Sequence, residues 1–387
     1  MKDEPQEIYL DNNATTRPIP EVVDAVLGIL TTGYGNPSSA HQRGSYARRT
    51  LEMARAQVAS LVGASEDQVF FTSGGTESNN LALNRVSEKE ARHLVTTETE
   101  HSSVLKKARF FEQRGVKVTY MPVDCTGRVN VRTLKNALKE SVDLVSVHWI
   151  NNETGTEQPV WELGEVCRER GVAFHIDAAQ AAGKLEINFN DMPVDMLTFS
   201  GHKIHGPQGV GALCVKQSDR VFPVLFGGDQ ERFIRPGTEN LPGVAGFGVA
   251  AEIREKDLLE IKSRIKALRD RFEERLIDVF PGLCINGDKE NRVCNTSNIL
   301  FSGVDGMALM AQLDREGVIC SQTSACNSRS PEPSHVLLAM GLSQEEAFSS
   351  VRFSFSVLNT LEETEIVADK VTRSYRKLLE FEGREVF

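Results

Sequence analysis

Between about residues 65 and 215, short β-branched or aromatic runs alternate with segments of helical period. QVFFT precedes TESNNLALNRV, HLVTT precedes HSSVLKKARFFEQRG, VKVTYM precedes VRTLKNALKE, and DLVSVHW precedes PVWELGEVCRERG; VAFHID, DMLTFS and GVGALCV follow. Apolar runs this short and continuous, separated by helices, predict an α/β fold built on a mostly parallel, doubly wound sheet. From about residue 251 the pattern changes to one long charged helix, AEIREKDLLEIKSRIKALRDRFEERLIDVF, closed by Pro-Gly and followed by shorter mixed elements. That helix reads as the bridge to a second, smaller α+β domain, its charges forming a solvated face. The expected division is a large α/β domain over residues 16–254 and a small domain made from 1–15 and 255–387.

Ligands of such sheets bind beyond the carboxyl ends of the strands, so the residues that follow each run are the candidates. SGGTES after QVFFT offers Gly75 and Thr76 at a helix start, where free N–H groups suit an anion; the same pattern also serves as a plain helix cap. ETEHSSV places His101 at the next helix start, where capping is the simpler role, and INNETG offers Asn151 and Asn152 in a turn. Asp177 ends VAFHID, with Gln180 three residues on; a carboxylate there needs a cation or strong hydrogen bonds. SGHKIHGPQGVG supplies Ser200, His202 and Lys203 just past an apolar strand. An imine-forming lysine, an acid for a ring nitrogen, and donors for a phosphate together describe a pyridoxal 5'-phosphate pocket.

Composition narrows the partners. A chain of 387 residues, 40% hydrophobic, can bury a large core, and its net charge of −10 argues against direct binding of nucleic acid or an anionic membrane. The start MKDEPQEIYL lacks the basic and apolar regions of a secretory signal, so a cytoplasmic enzyme of small molecules is expected. Seven scattered cysteines form neither a disulfide framework nor a metal-ligand spacing, so no metal is expected. Cys167, Cys214 and Cys320 sit in apolar patterns and read as packing residues. Cys326 does not: it lies in SQTSACNSRSPEP, among small polar residues and prolines, where reactivity is the issue.

The segments YLDNNATT, GNPSSAH, FFTSGGTESNN, TETEHSSV, NNETGT, HIDAAQ, TFSGHKIHGPQGVGAL, RPGTEN, SACNS, EPSHVL and VRFSFS run through nearly the whole chain. In these the sequence resembles the cysteine desulfurases of the NifS/IscS-like branch, within the class V aminotransferase fold of pyridoxal phosphate enzymes (fold type I). The resemblance implies that Lys203 holds the cofactor covalently and that Asp177 pairs with its pyridine nitrogen. It further implies that Gln180 bonds the phenolic oxygen and that His101 stacks on the ring and helps move protons. Gly75, Thr76, Ser200 and His202 would hold the phosphate, joined by Thr238 from the other subunit of a homodimer. Asn152 and Arg352 would clamp the substrate carboxylate, Arg352 because its planar fork matches that group. The family's GGGQERG-x-RSGT stretch is here GGDQERFIRPGT, with Asp229, Phe233 and Pro236 substituted.

The same resemblance makes Cys326, on a loop of about residues 321–335, the nucleophile that takes sulfur from L-cysteine, leaving L-alanine and an enzyme persulfide. The sulfur would pass to an acceptor protein: an iron–sulfur scaffold, a tRNA-thiolation partner or a DNA sulfur-modification partner. The competing readings are a selenocysteine lyase or aminotransferase on the same fold, and a non-catalytic docking protein of a sulfur pathway.

Overall fold

The computed structural model describes residues 7–88, 93–217, 221–322 and 332–384. Its largest sheet has seven strands, in the spatial order Val69–Thr72, Gly211–Val215, Met196–Ser200, Ala173–Asp177, Leu144–His148, His93–Thr97 and Lys117–Met121. Five neighbouring strands pair in parallel, and Gly211–Val215 runs antiparallel to both of its neighbours. The other strands therefore share one direction, and Thr72, Thr97, His148, Asp177 and Ser200 end at one edge. This is the mostly parallel, doubly wound sheet expected from the pattern.

Alternate side chains face opposite layers, as strand geometry requires. Phe71, Val95, Val145, Leu197, Phe199 and Ala212 join a core with Leu51, Val58, Leu163 and Phe247 from helices Gln42–Leu61, Val160–Arg170 and Leu241–Lys256. Phe70, Leu94, Leu144, Met196 and Leu213 pack on the other side with Leu81, Leu83, Val104, Ala108 and Phe111 from helices Gly75–Asn84 and Ser102–Glu112. Both faces are dry, which is why these strands lack polar alternation.

The single helix expected from residue 251 is two. Leu241–Lys256 and Leu258–Val279 meet at Asp257, whose N–H closes the first on Ile253 O while its carbonyl accepts from Ile261 N in the second. The first packs on Gln42–Leu61 and Pro20–Thr31, the second on Leu361–Phe381, so different partners turn the chain. The charges are continuous; the burial is not.

A four-stranded antiparallel sheet follows, ordered Ser321–Gln322, Ser350–Ser354, Thr296–Leu300 and Cys284–Ile285. Phe272, Phe301, Phe353, Phe355 and Tyr375 pack between it and the long helices, with Phe272–Phe355, Phe301–Phe353 and Phe301–Tyr375 edge to face and Phe272–Phe353 tilted. The N-terminal Ile8–Tyr9 strand pairs with Val318–Ile319, and Asp11 bridges to Ser354. The chain then crosses to the large sheet, where Thr16 N–H donates to His202 O.

Val69–Thr72 is an edge strand, and side chains close it. Glu231 Oε2 accepts from Phe71 N–H at 2.9 Å, while Arg55 donates to Val69 O at 2.9 Å and to both Glu231 oxygens at 2.8 Å. Holding this clamp puts Glu231, Arg232 and Phe233 in the left-handed region, at φ of 44°, 54° and 68°. Phe233, where the resembled family has glycine, is 68% exposed and gains no burial to offset that conformation. Both members of the Arg55–Glu231 pair are buried, so Glu231→Ala leaves the guanidinium with only the half-exposed Glu52 as a counter-charge, and should cost up to roughly 3 kcal/mol. Urea unfolding of the variant against wild type measures it.

Candidate active site

A cavity of about 290 Å³ opens at the carboxyl edge of the large sheet, lined by Ala14, Thr15, residues 73–77, Ser200, His202, Gln208 and Gly209. The turn that forms it depends on Gly74, which caps helix Gly75–Asn84 at φ 149°, a conformation closed to other residues. A Cβ on the neighbouring Gly211 would lie 2.7 Å from Gly74 Cα, so strand and turn meet backbone to backbone. The first intrahelical bond runs from Ser78 N to Gly74 O, which leaves the N–H groups of Gly75, Thr76 and Glu77 at the helix start for an anion. Gly75, Thr76, Ser200 and His202, singled out in the sequence, thus line one cavity. His202 Nδ1 lies 3.1 Å from Thr15 Oγ1; burial, aided by the Lys203 charge, pushes its pKa down to about 4.

Lys203 ends the single 3-10 turn Gly201–Lys203 that follows strand Met196–Ser200. Its Nζ donates to the carbonyls of Asn13 and Ala14. Gln180 Nε2 donates to the same Asn13 carbonyl at 2.9 Å. Asn13 Nδ2 donates to Asn152 O at 3.0 Å, and Arg352 Nη1 donates to that same Asn152 oxygen at 2.9 Å. Arg352 Nη2 pairs with Asp11 at 2.6 Å, while its buried Nε has no partner among the described residues. Lys203, Gln180, Asn152 and Arg352 are therefore brought together by residues 11–14. Asn151 serves a structural purpose instead, its side-chain oxygen accepting from Glu153 and Thr154 N–H.

A second network holds Asp177 and His101. Asn79 Nδ2 donates to Asp177 Oδ2 at 2.7 Å and to Ser103 Oγ at 2.9 Å. Ala179 N–H donates to Asp177 Oδ1 at 3.0 Å. Ser103 N–H donates to His101 Nδ1, and the Ser103 hydroxyl lies 2.8 Å from the same nitrogen. With Nδ1 accepting, the neutral ring carries its proton on Nε2. Burial lowers the His101 pKa, with Asp177 opposing, which favours that neutral form. The capping and catalytic readings of His101 are compatible, since the cap uses Nδ1.

These residues fit pyridoxal phosphate. Asp177 is buried, 7% exposed, and forms no ion pair among the described residues, so a cationic ring nitrogen is the partner its burial calls for. The glycine cradle suits the phosphate, and Lys203 stands on the turn between cradle and acid.

Not every expected residue converges. Thr238 is exposed and does not line the cavity of its own chain. Cys326 lies outside the described residues. Cys167, Cys214 and Cys320 are buried, as their patterns suggested. Among the described residues no cluster of metal ligands occurs, and no helix is long and apolar enough to cross a membrane. Sequence reasoning missed the roles of Asp11, Asn13, Thr15, Asn79, Ser103 and Glu153. Glu153, which accepts from Ser334, is pushed up to about 7 by burial, with Ser334 and Arg352 opposing. For Asn13 and Asn79 the available signal was a polar side chain beside an apolar run, in LDNNATT and GGTESNN.

The chain matches the family model described as Aminotransferase class-V over residues 8–367. It is 46% identical over 352 residues to a cysteine desulfurase of Trichormus azollae, covering 90% of this chain and 87% of that one. Among solved structures, a NifS-like protein superposes with a TM-score of 0.90 at 35% identity, covering 97% of this chain and 100% of that one. A structure described as SspA in complex with cysteine superposes with a TM-score of 0.81 at 34% identity, covering 91% and 99%. The chain belongs to the cysteine desulfurases of the class V aminotransferase family, which are pyridoxal phosphate-dependent enzymes.

Burial pushes His175 down to about 4, and His205 likewise to about 4. With His202, these imidazoles stay neutral in the fold at pH values where the unfolded chain, with a pKa near 6.5, already binds protons. Stability is therefore lost as pH falls from about 6.5 to about 4, and these groups contribute no pH dependence above that window. His175 lies between Ser146 and Thr198 in the sheet. His175→Gln should make unfolding free energy fall less steeply with acidification, measured by urea denaturation at pH 7, 5.5 and 4.5. An unchanged slope would place the acid sensitivity elsewhere.

Proposed function

We propose that this enzyme removes sulfur from L-cysteine, releasing L-alanine and holding the sulfur as a persulfide on Cys326 before passing it to an acceptor protein. The observation that supports this most is the juxtaposition, at one sheet edge, of a lysine-bearing turn with a buried Asp177 that has no ion pair, and an Arg352 Nε that has no partner, among the described residues. Asp177 would hold the cofactor's ring nitrogen protonated, Lys203 would attach it, and Gly75, Thr76, Ser200 and His202 would hold its phosphate. Bound there, pyridoxal phosphate supplies a sink for electrons released at the substrate α-carbon.

Arg352 receives the substrate carboxylate through Nε and the remaining face of its guanidinium, with Asp11 and Asn152 O fixing the plane. That places the amino acid with its α-carbon toward Lys203 and His101. Lys203 accepts the α-proton, and His101 exchanges a proton at Nε2. The Cys326 thiolate attacks the substrate sulfur; a new S–S bond forms, the Cβ–S bond breaks with its electron pair left on Cβ, and protons delivered to Cβ and back to the α-carbon complete alanine. The bound cysteine named for the SspA structure is consistent with this substrate.

Three further readings belong to the same proposal. The chain divides functionally into 16–254, which binds the cofactor, and 1–15 with 255–387, which brings Arg352 and the Cys326 loop. Thr238, exposed in its own chain, donates to the phosphate in the partner subunit of a homodimer. The enzyme works in the cytoplasm.

Borohydride treatment should fix the cofactor to Lys203 in wild type and leave Lys203→Ala unlabelled, as read by peptide mass spectrometry. Cys326→Ser should still bind cofactor and cysteine, because Arg352 and the cradle lie on other segments. Its alanine release should drop to background, since a hydroxyl is too poor a nucleophile toward sulfur. Unimpaired alanine release from that variant, or a wild-type persulfide on Cys320, would assign the sulfur chemistry to another residue.

A further inference from the structure

Lys184 is a buried lysine without a carboxylate. It is 7% exposed and forms no ion pair among the described residues. The charged or titratable groups whose fields reach it are Cys294, Lys203, Arg254 and Arg352, and it acts in turn on His205. Most of these are cationic, and burial with their help pushes its pKa down to about 7. An apolar side chain would fill this position at lower cost. Among the described residues the acceptor Lys184 Nζ reaches is Gln180 Oε1, at 2.7 Å.

That contact settles a question a side-chain amide usually leaves open. The oxygen and nitrogen of a glutamine are interchangeable in shape, but a lysine ammonium, which has no lone pair, can meet only the oxygen. Gln180 and Lys184 stand four residues apart on the tight turn that follows Asp177, closed by Ala182 N to Ala178 O and Lys184 N to Ala181 O. With Oε1 held by Lys184, Nε2 must face the other way, toward Asn13 O and the Lys203 side of the site. One N–H is spent on Asn13 O, and the second remains.

We propose that Lys184 is a positioning residue for the cofactor's phenolic oxygen, acting through Gln180 by locking the amide so that its remaining N–H points at that oxygen. The inference rests on the pyridoxal phosphate reading of the site. A donated hydrogen bond favours the form of the bound cofactor with most negative charge on the oxygen, so it lowers the pH at which the lysine-bound cofactor takes up a proton. Losing an aligned donor to a charged acceptor is worth roughly one pH unit.

The test is a pH titration of the absorption spectrum of purified holoenzyme. Lys184→Met should move the midpoint upward by roughly one unit, Lys184→Arg should bring it back toward wild type, and Gln180→Leu should reproduce the shift. In the Gln180→Leu background, adding Lys184→Met should produce no further change. A folded Lys184→Met protein that titrates as wild type overturns the inference. If that variant does not fold, a Gln180→Leu protein titrating as wild type overturns it equally. Wild-type protein without borohydride-fixed cofactor at Lys203 would instead defeat the underlying reading of the site, an outcome visible before any variant is titrated.

Discussion

The site depends on one hydrogen-bonded crossing, the passage of residues 11–16 from the small sheet to the carboxyl edge of the large one. Asn13 is its centre. Its N–H donates to Ser354 Oγ, its Nδ2 to Asn152 O and Thr296 Oγ1, and its Oδ1 accepts from Asn295. Its carbonyl accepts from Gln180 and Lys203. An asparagine with its N–H, carbonyl and side-chain amide all used is fixed in place by both sheets at once. Lys203, Gln180 and Arg352 thereby share a reference point that belongs to neither sheet alone.

The charges of the pocket divide by whether the protein answers them. Arg352 is met by Asp11, so its guanidinium is already oriented and partly neutralised. Asp177 and Lys184 are not answered in kind. Among the described residues each is buried with hydrogen bonds in place of an opposite charge, Asp177 accepting from Asn79 and Lys184 donating to Gln180. Burying charge this way is costly, and such groups concentrate where chemistry needs them.

Much of this was legible in the chain. The large sheet could be read because strands buried on both faces are continuous apolar runs, and Asp177, Ser200, His202 and Lys203 could be read because they interrupt such runs at their ends. Asn13, Asn79 and Lys184 could not, since each acts through a partner distant in sequence or through an amide orientation that no local pattern encodes. The same limit explains the long helix. Its charge pattern passes smoothly through Asp257, and the turn there follows from two different packing partners, which appear when the fold is assembled. Phe233 illustrates the converse: a substitution visible in the sequence takes on meaning from a left-handed φ that is set by the Arg55–Glu231 clamp.

The crossing also orders events in time. Residues 8–16 precede the large sheet in the chain, yet Ile8 and Tyr9 pair with Val318 and Ile319, and Asn12 and Asn13 bond to Ser354. Contacts of such sequence separation form late, after the loop between them has been closed. The sheet edge, its glycine cradle and Asp177 lie within the first 215 residues and can assemble while synthesis continues. The arginine and the asparagine crossing cannot. A chain cut before Arg352 would therefore carry the glycine turn and Asp177 without the contact from Ser354 that fixes Asn13.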